Sequence, residues 1–233
     1  MSEPSDRHLD IGCGTHPRNP YHRRHLCGTD LRTWDPATPL PAPDFDYRVA
    51  NLVLAPIPWP DNSFESVSAF DFLEHVPRLL MTPDGASTRF PFVELMGEIW
   101  RVLAPGGHLY AVTPAYPSPE AFQDPTHVNI ITERTHAYFC GPDAMGRMYG
   151  FRGQFRARQV RRVHPGEHTT SHAGPPQRTP TPSLARSFAH GLRDAIRRLR
   201  GRSVPPPGWL LWELEAVKPS RSSPDSHPSC THP

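Results

Sequence analysis

Two glycines and one aspartate are the residues whose types and spacing most clearly point to chemistry. The run from His8 to Ile11 is predicted to be a short strand, and it ends directly at Gly12-Cys13-Gly14. Glycines at this point let the backbone approach a ligand, because no Cβ intervenes. Asp30 ends the next predicted strand, where a carboxylate can accept two hydrogen bonds from a ribose diol. The pattern therefore predicts a nucleoside-binding site.

The residues after Gly14 distinguish between two classes of nucleoside cofactor. A dinucleotide needs a third glycine and a helix N-terminus that faces its pyrophosphate. Here the run continues as Thr15-His16-Pro17-Arg18, without that glycine. S-adenosylmethionine (SAM) has no phosphate and does not need this device, so the sequence favours SAM.

The elements that must position these residues alternate along the chain. Strands are predicted at His8–Ile11, Leu26–Leu31, Tyr47–Leu52, Phe64–Phe70, His108–Thr113, Gln154–Val163 and Trp209–Val217. Helices are predicted near Asp71–Val76, over 92–103, and over Thr132–Phe139 with Thr132 as N-cap. Strands separated by helices or long crossovers predict a doubly wound α/β fold with a mostly parallel, seven-stranded, Rossmann-like sheet. Ligands of such sheets lie beyond the carboxyl ends of the strands, here after residues 11, 30, 51 and 70.

Composition divides the chain into a core and additions. Proline supplies 31 of 233 residues, about 13% against a usual ~5%, and is concentrated after residue 164. The predicted organisation is a SAM-binding core over 1–163, a Pro/Arg-rich insertion over 164–208, a final core strand over 209–218 and a disordered tail over 219–233. The formal net charge of +2 indicates no particular partner.

Several features predict a cytoplasmic protein. The polar start MSEPSDRH has no signal-peptide core, and no run of 18 apolar residues predicts a membrane span. The cysteines (Cys13, Cys27, Cys140 and Cys230) have no CxxC spacing and are interpreted as free thiols. His164, His168 and His172 are spaced like metal ligands, but the prolines and glycines around them argue against an aligning helix. We therefore interpret them as a solvated loop and assign no metal site.

A basic amphipathic helix is predicted within the insertion, over 183–202. Its apolar positions include Leu184, Phe188 and Leu192, with arginines mostly around them. It is interpreted first as a lid on the domain. Peripheral contact with an anionic membrane is the alternative. Binding to nucleic acid ranks last, because no aromatic residues interleave with the basic ones, and no nucleic-acid partner is expected.

Four ordered motifs resemble the class I SAM-dependent methyltransferases, in particular a type 11-like domain. They are LDIGCGT (9–15), GTDLR (28–32), PIPWPDNSFESVSAFDFLEHV (56–76) and EIWRVLAPGGHLYAVTP (98–114). The likeness runs from about residue 8 to 163 and resumes at 209–217. Further stretches resemble a subgroup often linked to glycan or specialised-metabolite genes: GCGTHPRNPY (12–21), RFPFVELMGEIWRVL (89–103) and FQDPTHVNIITE (122–133).

The resemblance implies roles for particular positions. The cofactor-binding residues would be Asp10, Gly12 and Gly14 at the methionine part, Asp30 at the ribose, Leu31 on the adenine, and Asn51, Leu52 and Phe70 around them. Asn51 departs from the family, which usually has an acidic residue there to accept from the adenine amino group. The usual leading helix is nearly missing, and the insertion over 164–208 is expected to supply cover instead.

Methyl transfer asks the site mainly to orient an acceptor lone pair along the methyl–sulfur axis. For a hydroxyl acceptor a base helps to remove the proton, and histidine suits this near neutral pH; the sequence does not determine whether a base is required. His75, after the fourth strand, and His127, after the fifth, are the candidate catalytic residues. The alternatives are that His75 only packs at a helix start and that His127 only orders its loop. Tyr116, Asp124 and Asn129 are candidates for binding the acceptor.

The predicted activity is transfer of a methyl group from SAM to a small-molecule or glycan-like acceptor, by O- or N-methylation. Two alternatives remain open. One is a methyltransferase that acts on a lipid-linked acceptor, which the predicted basic helix favours. The other is a catalytically silent SAM-binding module on the same fold, since a fold does not by itself determine activity. The sequence determines neither the acceptor nor the oligomeric state.

Overall fold

The computed structural model describes residues 6–164 and 206–219. Its strands are β1 (Arg7–Ile11), β2 (His25–Asp30), β3 (Asp46–Val49), β4 (Phe64–Phe70), the short β5 (Leu80–Met81) and β6 (Thr88–Arg89), β7 (Leu103–Pro114), β8 (Phe155–Val163) and β9 (Trp209–Ala216). Within these residues the structure has one α-helix, α1 (Pro91–Val102). Short 3-10 turns occur at Leu73–His75, Pro119–Ala121, Thr135–Phe139 and Met145–Tyr149.

Seven strands form one sheet in the order β3-β2-β1-β4-β7-β9-β8. The five strands from β3 to β7 in this order are parallel, and β9 and β8 are antiparallel to their neighbours. This confirms the predicted mostly parallel, seven-stranded sheet. The order reverses between β1 and β4, so the carboxyl ends of those two strands flank a topological switch point, where α/β sheets bind ligands.

One face of the sheet is covered by α1. Its apolar residues recur three and four positions apart and are buried: Phe92, Leu95, Met96, Ile99 and Val102. Pro91 begins the helix, where a missing N–H does no harm, and the Glu94 carboxylate accepts a hydrogen bond from Phe90 N. The helix ends at Val102, one residue earlier than predicted. β7 begins at Leu103, five residues before the predicted strand start at His108.

The other face has a smaller apolar cluster, to which the connection between β1 and β2 contributes. Tyr21 packs there with Phe70, Tyr110 and Leu211. Its hydroxyl donates to Glu213 Oε1 at 2.7 Å, which ties this connection to β9. Residues 12–24 contain no helix, so the ring of Tyr21, with its hydroxyl hydrogen-bonded, covers this face of the sheet instead.

Two of the predicted helices are wrong in type. The first is only the 3-10 turn Leu73–His75, and the second is the 3-10 turn Thr135–Phe139. The Thr132 hydroxyl accepts from Arg134 N at 3.3 Å, as a cap would, but it also bonds the Thr135 hydroxyl. These local side-chain bonds compete with regular helical bonding.

The predicted basic helix over 183–202, together with His168 and His172, lies outside the described residues. The chain leaves the described part after β8 and re-enters before β9, and both points lie at the edge where β7 ends, because Pro114 and Val163 both pair with Trp209. In residues 6–164 and 206–219, no helix is long and apolar enough to cross a membrane. Cys13, Cys27 and Cys140 are free, as predicted.

Candidate cofactor and acceptor site

A cavity of about 490 Å³ opens beyond the carboxyl ends of β1 and β2. This volume lies in the range of small-molecule sites. Its lining residues come from three strand ends, from β3 and from two loops: Asp10, Gly12, Cys13, Gly14, Thr15, His16, Arg18, Asp30, Arg32, Thr33, Trp34, Asp35, Tyr47 and Phe70. The strand ends near positions 12, 30 and 70 therefore meet at this cavity, whereas the predicted fourth position, 51, is not among the described lining residues.

The two glycines serve the cavity in different ways, although both have positive φ. At Gly12 (φ +66°) a Cβ would stand 2.4 Å from the ring of Phe72, so this glycine allows the chain after β4 to pack against β1. At Gly14 (φ +54°) a Cβ would meet no described atom within 4 Å. Gly14 thus leaves open space in the cavity wall, where a ligand can approach the backbone.

The carboxylate of Asp30 is held in place by backbone donors. Gly14 N donates to Oδ2 at 3.0 Å, and Arg32 N donates to Oδ1 at 3.1 Å. A carboxylate oxygen can accept more than one hydrogen bond, so each oxygen keeps capacity for a further donor. The arrangement presents two oriented acceptors to the cavity, which is what recognition of two neighbouring hydroxyl groups requires.

Asp10 is a buried carboxylate at the base of the cavity. It accepts hydrogen bonds from Arg18 N at 2.8 Å and from the Ser68 hydroxyl at 2.5 Å. Burial raises its pKa to about 7 despite these two bonds, because the charged form loses its hydration. The bond to Arg18 N fixes the loop after Gly14 against the end of β1.

Aromatic rings and one arginine complete the wall. The rings of Trp34 and Tyr47 lie 5.1 Å apart between centroids, and the Trp34 indole is fixed by a bond to Thr38 O. The Arg18 guanidinium lies 4.3 Å from the centroid of Phe70. Its NH1 is buried and has no hydrogen-bond partner in the described part of the chain. The cavity wall therefore combines ring faces, carboxyl groups and arginine side chains.

A family model described as a methyltransferase domain matches residues 2–151, well over half of the chain. The chain belongs to the methyltransferase domain family. Its mostly parallel, seven-stranded sheet is the Rossmann-like methyltransferase fold. No curated protein sequence matches the chain.

Solved structures similar to this methyltransferase domain are distant in sequence. One chain in the complex between the Haloferax volcanii Trm112 methyltransferase activator and a methyltransferase has 15% identity and a TM-score of 0.51, covering 93% of this chain and 84% of that one. A SAM-dependent methyltransferase from Archaeoglobus fulgidus has 14% identity and a TM-score of 0.47, covering 90% and 85%. Another, from Mesorhizobium loti, has 15% identity and a TM-score of 0.47, covering 90% of each chain.

Three of the predicted cofactor-binding residues do not occur among the described residues that line the cavity. Leu31 is exposed, and Leu52 is buried in the main core, where neighbouring side chains rather than a ligand cover it. The Asn51 side-chain oxygen accepts from Val53 N at 3.1 Å, so it caps its own turn. Leu52 is therefore excluded from contact with adenine, whereas the contacts of Leu31 and Asn51 stay predictions, since Leu31 is accessible and the Asn51 oxygen can accept a second hydrogen bond.

The methyltransferase domain brings both predicted histidines together, one from the turn after β4 and one from the loop after β7. The rings of His75 and His127 lie 4.8 Å apart between centroids at 74°. His127 Nε2 stands 3.9 Å from Oε1 of the buried Glu74, whose Oε2 accepts from the Thr113 hydroxyl at 2.9 Å. Burial raises the pKa of Glu74 to about 7, and Asp71 and Asp124 add to this. These residues do not occur among the described lining residues of the cavity.

The predicted acceptor-binding residues have different surroundings. Asn129 is buried, and both of its amide atoms are occupied by protein: Oδ1 accepts from Arg78, and Nδ2 donates to Leu73 O. Asn129 therefore holds its loop in place and is corrected from a ligand contact to a structural residue. Asp124 accepts from the Thr126 hydroxyl at 2.7 Å, and Tyr116 is exposed.

Trp34, Tyr47 and Arg18 also line the cavity, although the sequence pattern predicts no binding role for them. Trp34 lies in a segment rich in proline, whose composition predicts only a loop. The pattern around Tyr47 predicts only a strand. An aromatic residue shortly after a predicted ribose-binding carboxylate is the signal that could have identified Trp34, while the contribution of Arg18 depends on a fold-back of its loop onto Phe70.

Proposed function

We propose that this chain transfers a methyl group from SAM to a small-molecule or glycan-like acceptor, at oxygen or nitrogen. The observation that carries the proposal is that the Asp30 carboxylate is held by Gly14 N, next to the open space that Gly14 leaves in the cavity wall. The family supports SAM as the methyl donor. The acceptor class is supported by the resemblance of residues 12–21, 89–103 and 122–133 to a subgroup linked to such acceptors.

The residues of the cavity fit SAM. Asp30 would accept from the ribose hydroxyls, and the exposed Gly14 backbone leaves room for the chain of the methionine part. Arg18, whose guanidinium lies against Phe70 in the cavity wall, would supply positive charge near the methionine carboxylate. The rings of Trp34 and Tyr47 offer apolar faces for the adenine.

When bound, SAM supplies a methyl group already activated by a positively charged sulfur. The chain itself has to hold the adenosine, orient the acceptor and manage one proton. Orientation alone can lower a barrier by several kcal/mol, since it removes the entropy cost of bringing two reactants together. His75 and His127, which lie together beside Glu74, remain the predicted residues that act on the acceptor proton.

The cofactor site is tested by calorimetric titration of the full chain with SAM. Asp30→Ala is expected to weaken SAM binding at least about tenfold, because hydrogen bonds to a charged group contribute about 1.5–3 kcal/mol each. Asp61→Ala is the matched control. Asp61 is an exposed aspartate in the turn before β4, where it pairs with Arg101 of α1, and it does not line the cavity. Undiminished affinity in Asp30→Ala would count decisively against the proposed site.

The reaction is tested by mass spectrometry of metabolite and saccharide mixtures incubated with the chain and SAM. A methyl-sized mass gain that requires both protein and SAM is expected. SAM binding without turnover of any acceptor would instead support a silent SAM-binding module.

A further inference from the structure

The cluster of Glu74, His75 and His127 supports a more specific role than that of two histidine bases. We propose that Glu74, His75 and His127 bind one divalent cation of borderline character, such as Zn²⁺, Mn²⁺ or Co²⁺. One ligand atom from each of the three lies within 4.8 Å of the other two. Imidazole nitrogens with one carboxylate are a ligand set that such ions accept.

Backbone hydrogen bonds fix the two segments that carry the cluster. Val128 N and Asn129 N both donate to Glu74 O, at 3.0 and 2.9 Å. Asn129 Nδ2 donates to Leu73 O at 3.0 Å. The loop that carries His127 is thereby attached to the turn that carries Glu74 and His75, so the three side chains are positioned before any ligand binds.

Two atoms of the cluster are buried without a partner. Glu74 is 1% exposed, and its Oε1 has no hydrogen-bond partner in the described part of the chain. His127 Nδ1 is unsatisfied in the same sense. A buried carboxylate oxygen left without a donor is costly, and a cation beside Oε1 would relieve that cost. Asp71 and Asp124 add negative charge nearby, which also favours a cation.

The hydrogen bonds around His75 leave it in a form that can bind a metal ion. The Thr126 hydroxyl donates its hydrogen to Asp124 Oδ1 at 2.7 Å. The Thr126 hydroxyl oxygen lies 2.9 Å from His75 Nδ1 and can accept from it. In the neutral ring with this tautomer, Nε2 of His75 keeps its lone pair. Carboxylate groups commonly orient ligating histidines through their other ring nitrogen, and here a threonine relays that effect.

One observed separation is close to that of two ligands on a bound ion. Two ligand atoms about 2.0–2.2 Å from one zinc ion are roughly 3–4 Å apart, and His127 Nε2 is 3.9 Å from Glu74 Oε1. The two rings meet at 74°, so they are not stacked against each other. The third ligand atom lies within 4.8 Å of these two, so the side chains have to move closer together when an ion binds.

Three protein ligands leave coordination positions open, as in catalytic zinc sites. An acceptor hydroxyl bound there would have a lowered pKa and would lose its proton to water. In this assignment His75 and His127 act as ligands instead of proton acceptors. This role rests on the proposed function, whereas the binding of a cation does not.

The test uses the full chain after removal of metal with a chelator. Co²⁺ titration, followed by visible absorption, is expected to show one strongly bound equivalent in a tetrahedral or five-coordinate environment. Glu74→Gln and His127→Asn are each expected to weaken that binding at least tenfold. His25→Asn is the matched control, because His25 begins β2 and pairs with Asp44. The chain has 14 histidines, so the control measures binding outside the cluster.

Equal Co²⁺ binding by the wild type and both cluster variants, or no binding by the wild type, would overturn the inference. Circular dichroism and thermal unfolding identify a variant that fails to fold, and the other cluster variant then decides. SAM titration of the same samples separates the two proposals. Retained SAM affinity with no cobalt site refutes only the cation, whereas a cobalt site without SAM binding refutes only the proposed cofactor.

Discussion

His8 and Asp10 are two buried titratable residues that share one hydroxyl group. His8 Nε2 lies 2.7 Å from Ser68 Oγ, which donates to Asp10 Oδ1. His8 Nδ1 lies 2.8 Å from Ser66 Oγ. Burial lowers the pKa of His8 to about 3, and the same cause raises the pKa of Asp10 to about 7. Both groups are therefore held largely neutral in the folded state at weakly acidic pH.

These shifts have opposite effects on stability. Between about pH 4 and 6.5, unfolded His8 binds a proton that folded His8 does not, so stability increases with pH. Over the same interval folded Asp10 keeps a proton that unfolded Asp10 has lost, so stability decreases with pH. Each slope is at most about 1.4 kcal/mol per pH unit, and in the wild type the two largely cancel. Arg18 and Arg23 are the charged residues that act on this pair.

We predict that single variants of this pair separate the two slopes. His8→Gln should become less stable as pH rises from 4.5 to 6.5, because Asp10 is then unopposed. Asp10→Asn should become more stable over the same interval. Urea unfolding of SAM-free protein at several pH values measures both slopes, and the wild type serves as the reference. Parallel stability curves for the three proteins would contradict the prediction.

At the scale of elements, aromatic side chains anchor the short turns to the core. Phe139 ends the turn Thr135–Phe139 and is 2% exposed. Its ring meets those of Phe92 in α1 and Phe151 before β8, with centroids 5.5 and 5.2 Å away. A short 3-10 turn has little stability of its own, so burial of this ring is what holds the segment in place.

We predict that Phe139→Ala lowers the free energy of unfolding by about 3–5 kcal/mol, the usual effect of removing a buried aromatic ring. The neighbouring Tyr138→Ala is the control. Tyr138 is 40% exposed, and its loss should change stability by less than about 1 kcal/mol. Chemical denaturation measures both variants. Similar losses for the two would show that the turn is not held by the buried ring.

At the scale of the whole molecule, the sheet depends on its last strand. β9 lies between β7 and β8 and pairs with both along its length. Leu210, Leu211, Trp212 and Leu214 of this strand are fully buried. Without β9, β8 would have no neighbour in the main sheet and β7 would have an exposed apolar edge.

We predict that a chain ending at Pro206 does not fold cooperatively, whereas a chain ending at Pro219 unfolds with the same midpoint as the full chain. The reason is that the first lacks β9 and the second retains it. Thermal unfolding followed by circular dichroism distinguishes them. A cooperative transition near the full-length midpoint in the shorter chain would show that β9 is dispensable.

Local features of the sequence determined much of the fold and part of the site. The bounds of β4, the apolar face of α1 and the convergence of Gly12, Gly14, Asp30 and Phe70 follow from periodicity, glycine conformation and the rule that parallel strands bind ligands at their carboxyl ends. Each of these depends on residues close in sequence or on a general property of the sheet.

Only the tertiary structure decided which side chains are covered and which are left without partners. Leu52 and Asn129 resemble ligand contacts in sequence, yet one packs in the core and the other binds Arg78 and Leu73 O. The surroundings of the Glu74 carboxyl group come from residues more than 30 positions away: Thr113 donates to Oε2, and His127 lies near Oε1. Burial and hydrogen-bond partnership are set by segments distant along the chain, so no local pattern encodes them.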